Sequence, residues 1–175
     1  SPVDNKETFE NDVVTTLVKG AYNCLYIGSL RGGAKELNLT SNKLHDLLSV
    51  DENEEPVLCR NLLVASDNEL WIGAESGIYI YNLRMGKYVH LRSSINDPYS
   101  LSDNAIYSLC KDREGGIWIG SYFGGVNYYP RFHTYFEKYY PKGTNNGLHG
   151  KRVREFCQDN QGILWIGTED GGLNR

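Results

Sequence analysis

The stretch DREGGIWIGSYFGGV, Asp112 to Val126, decides the fold because the chain repeats it. A closely similar phrase, DNQGILWIGTEDGGL, runs from Asp159 to Leu173, and a shorter one, DNELWIGAESGI, runs from Asp67 to Ile78. These three phrases share a four-residue core of leucine or isoleucine, an aromatic residue, isoleucine and glycine, and the same core occurs a fourth time at the beginning of the chain. The four cores begin at Leu25, Leu70, Ile117 and Leu164, so their spacings are 45, 47 and 47 residues.

A period in the forties, made of short β-rich runs separated by glycine turns, is typical of β-propeller blades. Helical repeats of that length would have a 3.6-residue apolar periodicity, and no segment has a convincing one. We therefore expect an all-β chain of four-stranded antiparallel blades with a repeat of about 47 residues. Residues 1–175 are predicted to form one propeller fragment, with blades at 12–50, 58–92, 104–140 and 151–175, the last of them incomplete.

The third unit gives the clearest prediction of strands: Ala105–Lys111, Ile117–Ser121, Val126–Tyr129 and Thr134–Tyr140. Aspartate is expected to accept hydrogen bonds within the first turn of a blade, and a following glycine to adopt a positive φ. The residues predicted for these roles are Asp112 with Gly115, and Asp159 with Gly162. The first unit has Gly20 and Asn23 at these places, and the second has a tight hairpin around Asp67.

The aromatic residue of each core is interpreted as packing between adjacent blades. A blade is covered on both faces by its neighbours, so its second strand must carry apolar side chains in both directions. A tryptophan fills the gap between blades and needs one partner for its N–H group. The four positions are Tyr26, Trp71, Trp118 and Trp165.

Composition excludes several classes of function. The formal net charge is −4, and no basic run exceeds KRVR at Lys151–Arg154, so nucleic acid is not an expected partner. The four cysteines, Cys24, Cys59, Cys110 and Cys157, lack metal-ligand spacing, and no metal or cofactor is predicted. We expect free, buried thiols, while disulfides stay open for an exported chain.

The chain resembles the two-component regulator propeller repeat. The resemblance rests on the aspartate, the glycine three residues later, the tryptophan–isoleucine–glycine core and the following glycine pair. Ile95–Tyr129 is similar to that family's spacer followed by its repeat. Counting four units, the resemblance covers nearly the whole chain. The chain departs from the family pattern in its first two units. Gly20 replaces the aspartate, Tyr26 replaces the tryptophan, and the second unit has a single glycine in place of the pair.

This resemblance implies a function. In that family the repeats form the periplasmic sensor region of hybrid two-component systems, which detect carbohydrates, often glycan fragments. It implies a non-enzymatic segment, an oligosaccharide ligand, a periplasmic location, and a parent protein-histidine kinase anchored in the membrane outside this chain. Two alternatives stay open: a propeller lyase or glycosidase, and purely structural blades.

Candidate ligand-binding residues lie in the turns between second and third strands and in the connections between blades. These segments emerge on one rim of a propeller, and exposed aromatic, arginine and amide side chains there suit sugars. The residues predicted to contact a ligand are Arg31, Tyr99, Tyr122, Phe123, Arg152 and Asp170. Neighbouring rim residues are Leu30, Glu75, Ser76, Asn145, Asn146, His149 and Glu169. The histidines, His45, His90, His133 and His149, are interpreted as surface or turn residues.

The last repeat is cut short, because Leu173 matches Val126 and only two residues follow it. A closed ring needs whole blades. We therefore expect a fragment with uncovered apolar blade faces, which predicts self-association.

Overall fold

The computed structural model describes residues 12–131, 139, 141 and 147–175. It divides into two compact units, Ser1–Phe132 and His133–Arg175. The described residues contain fourteen strands and no helix, and all strand pairs are antiparallel. The prediction of an all-β chain of propeller-like antiparallel units is confirmed. No helix in the described ranges is long and apolar enough to span a bilayer.

The first unit contains three sheets, each formed by strands that are consecutive in the sequence. The first sheet has four strands: β1 (Val14–Lys19), β2 (Cys24–Ser29), β3 (Gly33–Asn38) and β4 (Lys43–Leu48). The second also has four: β5 (Cys59–Ser66), β6 (Glu69–Ala74), β7 (Gly77–Asn82) and β8 (Lys87–Leu91). The third has three: β9 (Ile106–Lys111), β10 (Ile117–Ser121) and β11 (Val126–Tyr129).

The third sheet follows the strands predicted from the sequence. Its second and third strands have the predicted bounds, and its first begins at Ile106 rather than Ala105. The fourth predicted strand, Thr134–Tyr140, lies outside the described residues apart from Tyr139.

The described residues of the second unit form one sheet of three strands, in the order of the sequence. They are β12 (Val153–Gln158), β13 (Leu164–Thr168) and β14 (Gly172–Asn174). The register pairs Cys157 with Trp165, as Cys110 pairs with Trp118 in the third sheet. The two sheets therefore repeat the same local geometry.

The aspartate of the repeat binds the tryptophan that follows it six residues later. Asp159 Oδ1 accepts the backbone N–H groups of Gln161 and Ile163 at 2.9 and 3.0 Å, and its Oδ2 accepts the Trp165 indole N–H at 2.8 Å. Gly162 closes this turn at φ 81°. One carboxylate thus stabilises both the hairpin and the tryptophan rotamer.

The third sheet has the same arrangement. Asp112 Oδ1 accepts from Glu114 and Gly116 at 3.0 and 2.8 Å, its Oδ2 accepts the Trp118 indole N–H at 3.1 Å, and Gly115 has φ 91°. The expected turn roles of aspartate and glycine are confirmed. The partner expected for the tryptophan N–H is this same aspartate.

This turn predicts loss of stability in acid. The Trp165 indole N–H, and then the Ile163 backbone N–H, hold the pKa of Asp159 below its ordinary value. A depressed carboxyl pKa contributes stability above the unfolded value near 4, which is lost as pH falls through the folded value. We expect Asp159→Asn and Trp165→Phe each to lose less stability than the wild type between pH 6 and 3. Thermal unfolding across that range measures the slopes, and unchanged slopes in both variants would contradict the assignment.

In the first two sheets, different residues form the turn between the first and second strands. In the first, a Cβ added to Gly20 would lie 2.5 Å from the Tyr26 ring, and Asn23 takes the left-handed conformation at φ 60°. In the second, Asp67 and Asn68 form a two-residue loop between β5 and β6, as predicted. There Glu69 Oε1 accepts the Trp71 indole N–H at 2.7 Å in place of the aspartate.

The core of the first unit lies on both faces of the second sheet. Leu70 and Ile72 pack with residues of the first sheet, while Trp71 packs with Ile106 and Ile117 of the third. All three β6 residues are at most 1% exposed. The prediction that the second strand of a blade is apolar in both directions is confirmed for this sheet.

The prediction of buried packing is wrong for Trp118, Cys110 and Cys157. Trp118 is 47% exposed, because it lies on the face of the third sheet opposite the core, with Cys110 beside it. Cys157 is exposed because the described residues of its own unit form a single sheet, with no second sheet to cover it. All four cysteines are free, and only Cys24 and Cys59 are buried.

Candidate ligand-binding rim

The turn between the second and third strands of each sheet is hydrogen-bonded to the segment that precedes the first strand. The backbone N–H of Leu30 donates to Val13 O at 3.0 Å, and that of Tyr122 donates to Ala105 O at 2.9 Å. Matching bonds join Glu75 to Leu58 at 3.3 Å and Glu169 to Arg152 at 2.9 Å. In each of the four described sheets these two segments therefore lie at the same end of the sheet, which we call its rim.

Aspartates fix three of the rim turns. Asp12 accepts the backbone N–H groups of Arg31 and Gly32 at 2.9 and 2.7 Å, and Asp103 accepts that of Phe123 at 3.0 Å. The Phe123 N–H lowers the pKa of the Asp103 carboxyl, so the turn is held most firmly when this group is ionised. In the second unit Asp170 Oδ1 accepts the backbone N–H groups of Lys151 and Arg152 at 2.9 and 3.2 Å.

Five side chains at the rim of the second and third sheets form what we call the rim cluster. Its members are Arg60, Glu75, Tyr107, Tyr122 and Phe123. The Tyr107 and Tyr122 ring centroids are 4.9 Å apart, and the Phe123 ring meets Tyr122 edge-on at 4.4 Å. The three rings are 41%, 59% and 87% exposed. The cluster therefore presents a continuous aromatic surface to solvent.

An ion pair borders this aromatic surface. The Arg60 guanidinium lies 5.0 Å from the Tyr107 ring centroid, and its Nε donates to Glu75 Oε1 at 2.6 Å. Both charged side chains are 31% exposed. The pair fixes the guanidinium beside the ring while leaving N–H donors and carboxylate oxygen partly open to solvent.

The other residues predicted to contact a ligand lie outside the rim cluster. Arg31 is exposed in the β2–β3 turn. Tyr99 lines a groove of about 510 Å³ in the first unit, together with Arg92 and Tyr128. In the second unit Arg152 lies 3.8 Å from Glu169, which also pairs with Arg154. The structure therefore brings Tyr122 and Phe123 together, and Arg152 and Asp170 together in their own unit.

The remaining rim residues have structural contacts. Ser76 Oγ lies 2.9 Å from the Tyr79 hydroxyl oxygen. The His149 backbone N–H donates to Asn174 Oδ1 at 2.6 Å. Asn145, Asn146 and His133 lie outside the described residues.

Sequence reasoning missed Arg60 and Tyr107. Each lies in the first strand of a blade, β5 and β9, and neither is part of the repeated phrase. Their contact joins two sheets and spans more than forty residues of sequence, so no local spacing indicates it. The local feature that they share is that each directly follows the buried residue that begins its strand.

The interpretation of His90 as a surface residue is wrong. Its side chain is only 8% exposed, and its ring stacks on Tyr79 with centroids 3.8 Å apart. It is buried because β8 is covered here by the connection between the first two sheets, which carries Asp51 and Glu52. His45 is exposed on β4, as expected.

Antiparallel meanders of consecutive strands, which pack against one another in the first unit, are typical of β-propeller blades. The two-component regulator propeller family matches residues 100–123 and 147–170. Two segments of the chain therefore match the repeat of this family, and the resemblance drawn from the sequence is confirmed. No curated protein matches it significantly.

Solved structures share the fold. The chain is 22% identical to the extracellular domain of the putative hybrid two component system BT3049 from B. thetaiotaomicron, with a TM-score of 0.52 over 95% of this chain and 27% of that one. For the corresponding domain of BT4673 from the same organism the identity is 20%, the TM-score 0.62 and the coverage 95% and 21%. The computationally designed Ika4 protein matches with 18% identity, a TM-score of 0.50 and coverage of 95% and 91%. The chain spans about a quarter of the length of the two natural structures.

Proposed function

We propose that this chain is a non-catalytic sensor segment of a hybrid two-component system, located outside the cytoplasmic membrane in the periplasm. Its rim cluster binds an oligosaccharide, and the signal passes to a histidine kinase that lies outside this chain. The proposal rests on one observation: three exposed aromatic rings lie in contact with one another and beside an arginine–glutamate ion pair. The similarity to extracellular domains of putative hybrid two component systems supports the context.

The chemistry of the rim cluster suits a sugar. Pyranose rings have apolar C–H faces that pack on aromatic side chains, and Tyr122 and Phe123 offer two rings in an edge-to-face arrangement. Hydroxyl groups at the sugar edge need donors and acceptors, which Arg60 and Glu75 supply beside those rings. Sites with an apolar floor and a few fixed polar groups are typical of small-ligand binding.

The same geometry favours binding over hydrolysis. A glycosidase positions two carboxylates on either side of the scissile bond. The rim cluster has one, Glu75, and it is already paired with Arg60. This supports a binding role for the cluster and argues against the alternative of a carbohydrate-active enzyme at this position.

Calorimetry on the whole chain tests the proposal, with an oligosaccharide chosen from a printed glycan array as the probe. We expect Tyr122→Ala, Phe123→Ala and Arg60→Ala each to weaken binding about tenfold or more, the loss that corresponds to about 1.4 kcal/mol. Tyr22→Asn is the matched control, because Tyr22 is 86% exposed but lies in the β1–β2 turn, outside the rim cluster. It should leave the affinity unchanged.

Three outcomes contradict the proposal. No glycan on the array binds the chain, or the three variants bind as tightly as the wild type, or the bound oligosaccharide is cleaved during incubation. The last result would favour the enzyme alternative and can be read from the products by mass spectrometry.

A further inference from the structure

A second cluster of polar side chains shares no residue with the rim cluster. Asp51 and Glu52 belong to the connection between β4 and β5, and His90 lies in β8. One ligand atom from each residue falls within 4.8 Å of the other two. Carboxylate oxygens with an imidazole nitrogen are donors that divalent transition metals accept.

The imidazole of His90 supplies an independent indication. Among the described residues, its Nδ1 is the buried side-chain nitrogen or oxygen that has no hydrogen-bond partner. It points at Glu52 Oε1, 3.7 Å away, which is too far for a hydrogen bond. Buried polar atoms are nearly always satisfied, so an orphaned nitrogen aimed at a carboxylate calls for a missing partner.

The other ring nitrogen fixes the tautomer. His90 Nε2 lies 3.0 Å from Ser76 O, and a carbonyl oxygen only accepts, so Nε2 carries the proton. A longer contact of 3.4 Å from Arg92 Nε to the same nitrogen would need it unprotonated, and the shorter contact decides against that. In the neutral ring Nδ1 then presents a lone pair to Glu52. A cation between the two atoms would satisfy both.

We propose that Asp51, Glu52 and His90 bind a divalent transition-metal cation, with Zn²⁺ as the best fit. Three protein ligands leave the fourth tetrahedral position for water, and Zn²⁺ takes nitrogen and carboxylate oxygen at about 2.0–2.2 Å. Binding draws the ligand atoms closer than 4.8 Å. Glu52, whose side chain is 52% exposed, has the freedom to move inward.

The ligands are held by outer contacts of the kind that metal sites use. The Ser76 carbonyl orients His90, and the Tyr79 ring stacks on it. The Tyr88 hydroxyl donates to Glu52 Oε2 at 2.8 Å, leaving Oε1 directed toward the imidazole. Such outer contacts orient the ligands of known metal centres and raise their affinity.

Asp51 accepts hydrogen bonds from the backbone of its own connection and forms an ion pair with Arg92. Its Oδ1 accepts the backbone N–H groups of Asn53 and Glu55 at 2.8 and 3.1 Å, and its side chain is 4% exposed. Arg92 Nη2 lies 3.6 Å from Asp51 Oδ2. The two carboxylates and the guanidinium together leave one net negative charge for a cation, and Arg92 competes with the metal.

Titration calorimetry with ZnCl₂ on the metal-free chain at pH 7 tests the site, with MgCl₂ as the comparison. We expect one Zn²⁺ per chain, weakened about tenfold or more by His90→Gln or by Glu52→Gln. Mg²⁺, which prefers oxygen ligands, should bind far more weakly. Arg92→Gln removes the competing charge and should tighten Zn²⁺ binding.

The controls are His45→Gln and Glu54→Gln. His45 is an exposed histidine on β4, and Glu54 is an exposed glutamate in the same connection as Glu52. Both should bind Zn²⁺ like the wild type. The exposed thiols of Cys110 and Cys157 are common to all variants, so any zinc that they bind cancels in the comparison.

The partly exposed Glu52 keeps the test decisive even if His90→Gln unfolds the chain, because Glu52→Gln removes no core packing. The proposal is overturned if wild-type protein takes up no Zn²⁺, or if Glu52→Gln binds it with unchanged affinity. It is also overturned if nitrogen NMR shows the His90 ring doubly protonated at pH 7 and unaffected by added Zn²⁺.

Discussion

Trp71→Ala is expected to lower the free energy of unfolding by about 3–5 kcal/mol, the range for buried large-to-small substitutions of an aromatic residue. Trp71 is 1% exposed and fills the space between the second and third sheets. Its ring meets Tyr129 edge-on at 5.0 Å, and its N–H donates to Glu69. Truncation leaves a cavity that two rigid sheets cannot close.

Trp118→Ala is the matched control, because it removes the same side chain from the same position of the next repeat. Trp118 is 47% exposed and has one described ring neighbour, Tyr128, at 4.8 Å. It should lose less than half as much stability as Trp71→Ala. Urea denaturation followed by far-UV circular dichroism measures both, and equal losses would contradict the assignment of the core to the two faces of the second sheet.

Gly33→Ala is expected to destabilise the first sheet through a backbone collision. A Cβ at Gly33 would lie 2.0 Å from the Leu48 carbonyl oxygen and 2.8 Å from Ser49 Cα. Gly33 also has φ +62°, which costs an L-residue about 1–2 kcal/mol. Moving β3 and β4 apart to relieve the collision adds about 1–3 kcal/mol.

Gly86→Ala separates the two contributions. Gly86 has the same φ of +62°, but the nearest atom to an added Cβ is the Tyr81 hydroxyl oxygen at 3.7 Å. This variant carries the conformational strain alone and should lose only about 1–2 kcal/mol. Equal urea midpoints for the two alanine variants would contradict the close approach of Gly33 to the Leu48 carbonyl oxygen.

Features that depend on a few neighbouring residues were predictable from the sequence. The turn of Asp159, Gly162 and Trp165 is complete within seven residues, so its residue types indicate both the aspartate contacts and the positive φ. The two-residue loop at Asp67 is equally local. The 47-residue spacing then repeats these local choices and predicts the all-β fold.

Burial and side-chain clustering were less predictable because they depend on what lies against each sheet. Trp71 and Trp118 occupy equivalent positions in the repeat, yet one is buried and the other is half exposed. Tyr122 and Phe123 stood out as adjacent aromatics in a turn, but Arg60 comes from another sheet. The burial of His90 depends on a connection almost forty residues earlier in the chain. The expected self-association stays a prediction.

The central claim is that the rim cluster is the carbohydrate-binding surface. Aromatic ¹³C chemical shifts, recorded while the array-selected oligosaccharide is titrated into the whole chain, test it most directly. The account predicts the largest shifts at Tyr107, Tyr122 and Phe123, with smaller ones at rings outside the rim cluster. Shifts centred on Tyr99 in its groove instead, with the three rim rings unchanged, would contradict it.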